Sequence, residues 1–335
     1  MAYTSIDDPE AYFQVKLYTG NGGSQSITLD GDTDMQPDFL WIKERGVAHS
    51  HALTDAVRGV RKSIITDGAE SEYSESAGVA SLDSDGFTFD GVGNNHVNDN
   101  TQATVAWCWK ESATAGYDIV SWTGTGSTKT ENHSLSAVPH MMIFKNRTTT
   151  DWWVVYHHKL TAPADRCLFL NNTYAEFDED TGGETLWNDT VPTSSVFTVG
   201  DYEGLNTNTE TFIGYLWTAK QGYSKFGTYK GNGNDNGPFI YTGFKPAYVM
   251  IKRTDTTADW RISDNKRPGY NLVNKILYPN GNWAEGTGNS LDHVSNGFKF
   301  RDDNTADNAS GGTYIYMAFA ESPFVNSEGV PTNAR

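Results

Sequence analysis

One pair of motifs recurs three times along the chain, and that repetition limits the fold more than anything else in the sequence. Tyr18–Gly22 reads YTGNG and is followed by Pro37–Lys43, PDFLWIK. Trp122–Gly126, WTGTG, is followed by Pro139–Lys145, PHMMIFK, and Tyr229–Gly233, YKGNG, by Pro246–Lys252, PAYVMIK. The aromatic residue recurs at offsets of 104 and 107, the proline at 102 and 107, and a lysine stands six residues after each proline. A fixed period of this size means three copies of one structural unit. About 105 residues is enough for a domain with its own core.

The copies fall at 13–110, 117–220 and 223–321, with an arm at 1–12 and a tail at 322–335. The joins at 111–116 and 220–222 are short, so the copies are expected to pack firmly against one another. Within copy one, Phe13, Val15 and Leu17 alternate with polar residues, as in a half-buried strand. Further short apolar runs follow at turn-marked spacing, each bounded by Gly, Asn or Asp. No stretch holds a helical period over ten residues. Each copy thus offers seven or eight short strands, and the fold class expected is all-β, three tandem β-sandwiches with little or no helix. A propeller blade would need only about 40–50 residues.

The segments before the three lysines are nearly all apolar: Phe39–Ile42, Met141–Phe144 and Tyr248–Ile251. A strand of that composition is buried on both faces. One face is expected to meet its own sandwich, and the other a loop or a neighbouring copy.

The formal net charge is −17, with no basic cluster, which disfavours nucleic acid as a partner. No apolar run reaches the length of a membrane span, and the first residues lack the pattern of a signal peptide. Cys108 and Cys167 occupy non-equivalent places and are expected to be free, buried thiols.

The candidate chemistry is sparse. Asp30, Asp32 and Asp34 alternate like the start of a calcium loop, but the glycine and distal glutamate of such a loop are missing. They read as a solvated turn, and no metal or cofactor is expected. Asp55 and Arg58, like Asp264 and Arg267, stand at matching places and read as turn-bracing pairs. His49/His51 and His157/His158 could suggest metal, but neither pair has the partner ligands a zinc site demands. Trp152, Trp153, Trp187, Trp260 and Trp283 sit beside polar residues and are candidates for exposed sugar-stacking or interface aromatics, with core filling the better reading for most of them and a minority at loop tips enough for a binding surface. No nucleophile elbow, phosphate loop or dinucleotide fingerprint is present, and no catalytic residue is assigned.

The stretches MAYTSIDDPEAYFQVKLYTGNG, PDFLWIKER, SDGFTF, GPFIYTGFKPAYVMIKRTD, NASGGTYIYMAFAESPF and GVPTNAR resemble a family of repeat proteins in marine tailed bacteriophages. The resemblance covers the whole chain. It departs at Thr254, where the other copies have Arg45 and Arg147, and the neighbouring Arg253 is the expected substitute. The resemblance implies a non-enzymatic structural protein on the virion exterior, made in the host cytoplasm. A tail-associated fibre or receptor-binding protein is the first expectation, capsid decoration the second, and a polysaccharide-degrading enzyme a distant third. The implied partners are other virion proteins, further copies of the chain in an oligomer, and a host glycan or outer-membrane protein. The polar ends, interrupted by Pro9, Pro323 and Pro331, are expected to serve attachment. Asp7, Asp8, Pro9, Phe324 and Val325 are the residues expected to touch a partner or the chain's own body.

Overall fold

A computed structural model describes residues 3–179, 183 and 185–332. Copy one contains β1 (Phe13–Thr19), β2 (Ser24–Thr28), β3 (Phe39–Glu44), β4 (Ala52–Asp55), β5 (Lys62–Ile65), β6 (Tyr73–Ser74), β7 (Val79–Asp83), β8 (Gly86–Asp90) and β9 (Ala103–Trp109). Copy two contains β10 (Tyr117–Thr123), β11 (Lys129–Asn132), β12 (Met141–Asn146), β13 (Val154–His157), β14 (Arg166–Phe169), β15 (Phe177–Asp178), β16 (Val196–Val199) and β17 (Thr211–Trp217). Copy three contains β18 (Ser224–Lys230), β19 (Phe239–Tyr241), β20 (Phe244–Arg253), β21 (Arg261–Asp264), β22 (Val273–Ile276), β23 (Gly286–Val294), β24 (Gly297–Phe300) and β25 (Thr313–Pro323). Short helical turns stand at Pro9–Ala11, Glu203–Asn206 and Thr305–Asn308.

The three large sheets share one strand order. They run β1-β9-β3-β4-β5-β6, β10-β17-β12-β13-β14-β15 and β18-β25-β20-β21. The pairs are antiparallel in equivalent register: Trp41 faces Trp107 and Leu53, Ile143 faces Tyr215 and Val155, and Met250 faces Met317 and Ile262. A smaller sheet covers each large one: β2-β8-β7, β11-β16 and β19-β24-β23-β22.

Strand alternation then decides the packing. On β3, Leu40 and Ile42 point into copy one's own sandwich with Phe87 and Phe89. Met142 and Phe144 do the same in copy two, and Val249 and Ile251 in copy three. The alternate residues Phe39, Trp41, Met141, Ile143, Tyr248 and Met250 all enter one further core, made by the outer faces of the three large sheets together. All these side chains are buried, so the apolar strands are covered on both faces as their composition demands.

Aromatic rings fill that shared core. Phe39 of copy one lies 4.4 Å from Tyr215 of copy two, Trp109 lies 5.5 Å from Phe319 of copy three, and Trp109 and Trp217 are 6.4 Å apart. Trp109, Trp217 and Phe319 occupy the same position of the last strand in each copy. The sandwiches are therefore arranged about a pseudo-three-fold axis.

The seams repeat around that axis. The backbone N–H of Glu72 donates to Arg147 O (3.0 Å), that of Glu285 to Arg45 O (2.7 Å) and that of Glu176 to Thr254 O (2.9 Å). Copy two thus grips copy one, copy one grips copy three, and copy three grips copy two. Arg147 and Arg45 add two-pronged ion pairs, to Glu72 at 2.9 and 3.1 Å and to Glu285 at 2.9 and 2.9 Å. The Tyr215 hydroxyl donates to Asp55 (2.7 Å), and the Trp107 indole to Asp264 (3.0 Å). Those aspartates are the ones that brace Arg58 and Arg267, so each Asp–Arg pair is also half of a seam.

The third seam lacks its arginine. Arg253 does not substitute: it pairs with Asp255 of its own copy and donates to Thr305 O. As residue 253 it sits one position earlier on the strand and so points to the opposite face. A cleft of about 210 Å³ remains where the bridge would be, lined by Thr254, Glu176, Arg166 and Thr161.

The arm and tail close the ring. Ile6 enters the shared core, and the Thr4 hydroxyl donates to Gln221 O (2.9 Å). The Tyr3 hydroxyl donates to Gly243 O (2.9 Å), and Ser327 N–H donates to Asp7 (2.7 Å). Asp8 caps the turn opened by buried Pro9. Phe324 N–H donates to Gly243 O (3.2 Å), and Val325 bridges to Pro331. Within residues 3–12 and 322–332 the arm and tail contact the chain's own body, one of the two arrangements expected of them, with Asp8 also accepting from the Thr33 hydroxyl of copy one. Residues 1–2 and 333–335 lie outside the described residues.

Thr254→Arg should complete the third seam. An arginine there reaches Glu176 and fills the cleft, and urea unfolding should show a gain of about 0.5–2 kcal/mol. No gain, or a loss, would mean that Arg166 already satisfies Glu176.

Candidate functional site at the loop corners

The two glycines of the repeated motif build one corner in each copy. A Cβ on Gly20, Gly124 or Gly231 would collide with the carbonyl oxygen of Asp99, Thr207 or Ala309, at 2.2, 2.1 and 2.2 Å. The first glycine therefore permits close approach of the loop that precedes the last strand. The second, Gly22, Gly126 or Gly233, has φ of 75°, 69° or 63°, and its N–H donates to Asn98, Asn206 or Asn308 O at 2.8, 2.7 and 2.8 Å. The motif is more than a hairpin turn: it docks a distant loop against the end of the third strand.

The repeated lysines stand under the same corners. Lys43, Lys145 and Lys252 are wholly buried. Lys43 donates to Glu44 O and Val47 O (2.6 and 3.0 Å), Lys145 to Asn146 O and Ala69 O (3.0 and 3.1 Å), and Lys252 to Arg253 O and Thr173 O (2.7 and 3.2 Å). Burial holds each ammonium down at about 8. Ala69 and Thr173 belong to the neighbouring copy, so two of the lysines also close seams. They have no solvent access, and their hydrogen bonds fix carbonyls that would otherwise be orphaned.

On this common frame the corners differ. In copy two, Thr150, Asp151, Trp152, Tyr202 and Glu203, with Ala69 of copy one, line a cleft of about 340 Å³. Trp152 is 36% exposed and packs edge-on against Phe169 (4.7 Å), with exposed Tyr174 at 5.8 Å. Burial pushes the Asp151 carboxyl up. An aromatic face beside two carboxylates can stack on the apolar face of a sugar and accept its hydroxyl protons.

Copy one's corner holds Glu44, His49, His96 and Asp99. The spacing in sequence hid this group, because His96 and Asp99 arrive from the docked loop. The only forewarning was the close-approach glycine.

The other expected site residues separate. Trp153, Trp187 and Trp260 are buried, not exposed. Their indoles donate to Ile65, Arg166 and Phe169 O at 2.8, 3.0 and 2.9 Å; Trp153 and Trp260 thereby tie one copy to the next. All three lie in loops, where adjacent side chains take different sides, so that Trp152 is turned outward and Trp153 inward. Trp283 is 50% exposed and lies 5.4 Å from Tyr278, away from the copy-two cleft. Asp30 pairs with Lys16, while Asp32 and Asp34 face solvent, and the three carboxylates form no convergent group. His157 is buried at the place that Asp55 and Asp264 hold in the other copies. Cys108 and Cys167 are free and buried.

One carboxyl, Glu111 beside Asp118, has the perturbation expected of a catalytic acid. Burial, then a hydrogen bond with Asp118, raises Glu111 to about 7. Asp118 is anchored to Ser134 N–H (2.5 Å). Its counterpart Gln14 holds Asp30 and Gly31 N–H (3.2 and 2.9 Å), and Lys225 holds Tyr241 O (2.8 Å). The position fixes a loop in all three copies, whatever its side chain. A second carboxylate group, Asp165, Glu179 and Asp189, is all-acidic. Its Glu179 accepts from Leu186 and Trp187 N–H (2.5 and 3.3 Å).

The chain belongs to the DUF7483 family. The family model, described as a domain of unknown function, matches residues 8–323. That DUF7483 span takes in all three sandwiches and ends on β25, so the family unit is the whole ring. No curated protein matches the chain.

The buried lysines give a pH dependence of known sign. Each pKa is lower in the folded chain than the unfolded value of 10.5. Between about pH 8 and 10.5 the unfolded chain holds more protons, so stability rises with pH. Tyr117, Tyr215, Tyr223, Tyr229 and Tyr248 are pushed up by burial, which reverses the trend above about pH 10. Tm should climb from pH 8 to about 9.5 and then fall. Lys145→Met should reduce the climb by about a third; an unchanged climb would assign it to other groups.

Proposed function

We propose that this chain is a non-enzymatic structural and adhesive component on the exterior of a bacteriophage particle, tail-associated and presented for recognition of a host-surface glycan. The observation that carries the reading is the copy-two corner, where a half-exposed tryptophan, a tyrosine and two carboxylates line one cleft on a rigid β frame. Binding residues held on loops by a rigid scaffold are the usual arrangement in recognition proteins. The same frame is furnished differently in each copy, so the corner side chains vary while the core stays fixed. The acidic surface discourages nonspecific adhesion. The sequence resemblance to marine-phage repeat proteins supplies the particle setting.

Capsid decoration is the second reading, supported by the pseudo-three-fold arrangement of the sandwiches, a symmetry that would suit a three-fold position of a lattice. Gold-labelled antibody against the chain, applied to particles that carry it, separates the two. Label at the tail supports the first reading, and label over the capsid the second. Particles without label would remove both.

Trp152→Ala tests the cleft. The side chain is partly exposed, so Tm should move by no more than about 1–2 °C. Affinity of the protein for host surface polysaccharide should fall at least about fivefold, since one aromatic anchor is worth over 1 kcal/mol. Retained affinity in the variant would place recognition elsewhere.

A further inference from the structure

The copy-one corner brings two imidazoles and two carboxylates to one place. The rings of His49 and His96 stack, with centroids 4.0 Å apart and planes 25° from parallel. His49 Nδ1 lies 2.8 Å from Glu44 Oε2 and 3.7 Å from Asp99 Oδ2, and His96 Nδ1 lies 3.0 Å from the same Asp99 oxygen. One donor atom each from His49, His96 and Asp99 falls within 4.8 Å of the other two. A tetrahedral ion with bonds of about 2.0–2.1 Å holds its donor atoms about 3.3 Å apart. The two histidine-to-Asp99 separations straddle that value, and to share one ion the stacked rings would turn about their side-chain torsions until both planes contain it.

We propose that His49, His96 and Asp99 bind one divalent transition-metal ion of the zinc class, with Glu44 as fourth ligand or as the group that orients His49. Imidazole donors favour such an ion over calcium or magnesium. Glu44 is fixed for either role: its side chain is fully buried, and its other oxygen accepts from Asp99 N–H (2.8 Å). That bond links two members of the group through the backbone, as supporting contacts around metal ligands do. The His49, Asp99 and His96 side chains are 28%, 26% and 47% exposed, so an ion can enter and keep one side open to water.

The frame does not require these residues. At the four equivalent places copy two has Asn146, Asp151, Gly204 and Thr207, and copy three has Arg253, Ala258, Ala306 and Ala309. Both form the same corner, with the same close-approach glycine and the same Gly-to-Asn backbone bond. The four-residue set therefore adds something to copy one that the fold itself does not need. Asp30, Asp32 and Asp34, the candidates on sequence grounds, take no part.

The test uses the whole chain, freed of metal by chelator, with Zn²⁺ and then Co²⁺ as probes. Calorimetric titration should give one ion per chain. Co²⁺ should produce the visible absorption of a tetrahedral site. A hundredfold excess over Kd should raise Tm by about 2–4 °C. His96→Ala and Asp99→Asn should each weaken binding at least tenfold and leave the metal-free Tm unchanged, while His133→Ala should bind as the parent does. Asp99→Asn keeps the shape of the loop, so it reads the ligand role if His96→Ala disturbs the fold. No uptake at about 1 mM ion, or equal affinity in both ligand variants, would overturn the proposal and leave the group as two surface histidine–carboxylate pairs.

Discussion

The structure depends on a single constraint: the third strand of every copy is apolar on both faces, and one sandwich can cover only one of them. The uncovered faces carry Phe39, Trp41, Met141, Ile143, Tyr248 and Met250. Exposed, they would form an apolar patch far larger than a soluble monomer tolerates. Turning the three large sheets toward one axis removes that surface from water, at about 25 cal/mol for each Å² of it. The ring of sandwiches, the short joins and the arm that returns to copy three all follow from this packing.

Around the shared core, direction is set by polar groups at the seams. Equivalent backbone bonds, buried lysines and Asp–Arg pairs recur with the same handedness, each copy gripping one neighbour and being gripped by the other. Groups of this kind are costly to bury unless fully paired, and here the partner lies in the adjacent copy. The ring thereby specifies which surfaces meet, where an apolar contact alone would allow sliding. The symmetry is broken at defined places: Thr254 replaces an arginine, His157 an aspartate, and His51 the tryptophan found at 153 and 260. The corners join this scheme through backbone groups, such as Asp151 N–H to Ala69 O (2.8 Å) and Ala258 N–H to Thr173 O (2.9 Å), so their side chains can change without disturbing it.

Much of the architecture was legible in the sequence. The repeat, the strand class, the doubly buried third strand and the bracing role of Asp55 and Arg58 follow from spacing and composition. What was hidden depends on tertiary contact. A one-residue offset decides that Trp152 faces solvent and Trp153 a seam, and polar neighbours cannot reveal which. The same offset turns Arg253 away from the seam that Arg45 and Arg147 close. His96 and Asp99 stand about 50 residues from Glu44 and His49, and only the docking of a loop on Gly20 joins them. The ends looked unsupported because their partner, copy three, is distant in sequence for the arm and made of polar backbone groups for the tail.

The central claim is that the three sandwiches are one cooperative unit. Scanning calorimetry of the whole chain measures this most directly, through the ratio of van't Hoff to calorimetric enthalpy. A shared core predicts a single transition with a ratio near 1, whereas three sandwiches unfolding independently would give about one third, or separate peaks. The second result would contradict the account, because the aromatic core at the axis would then contribute little to holding the copies together.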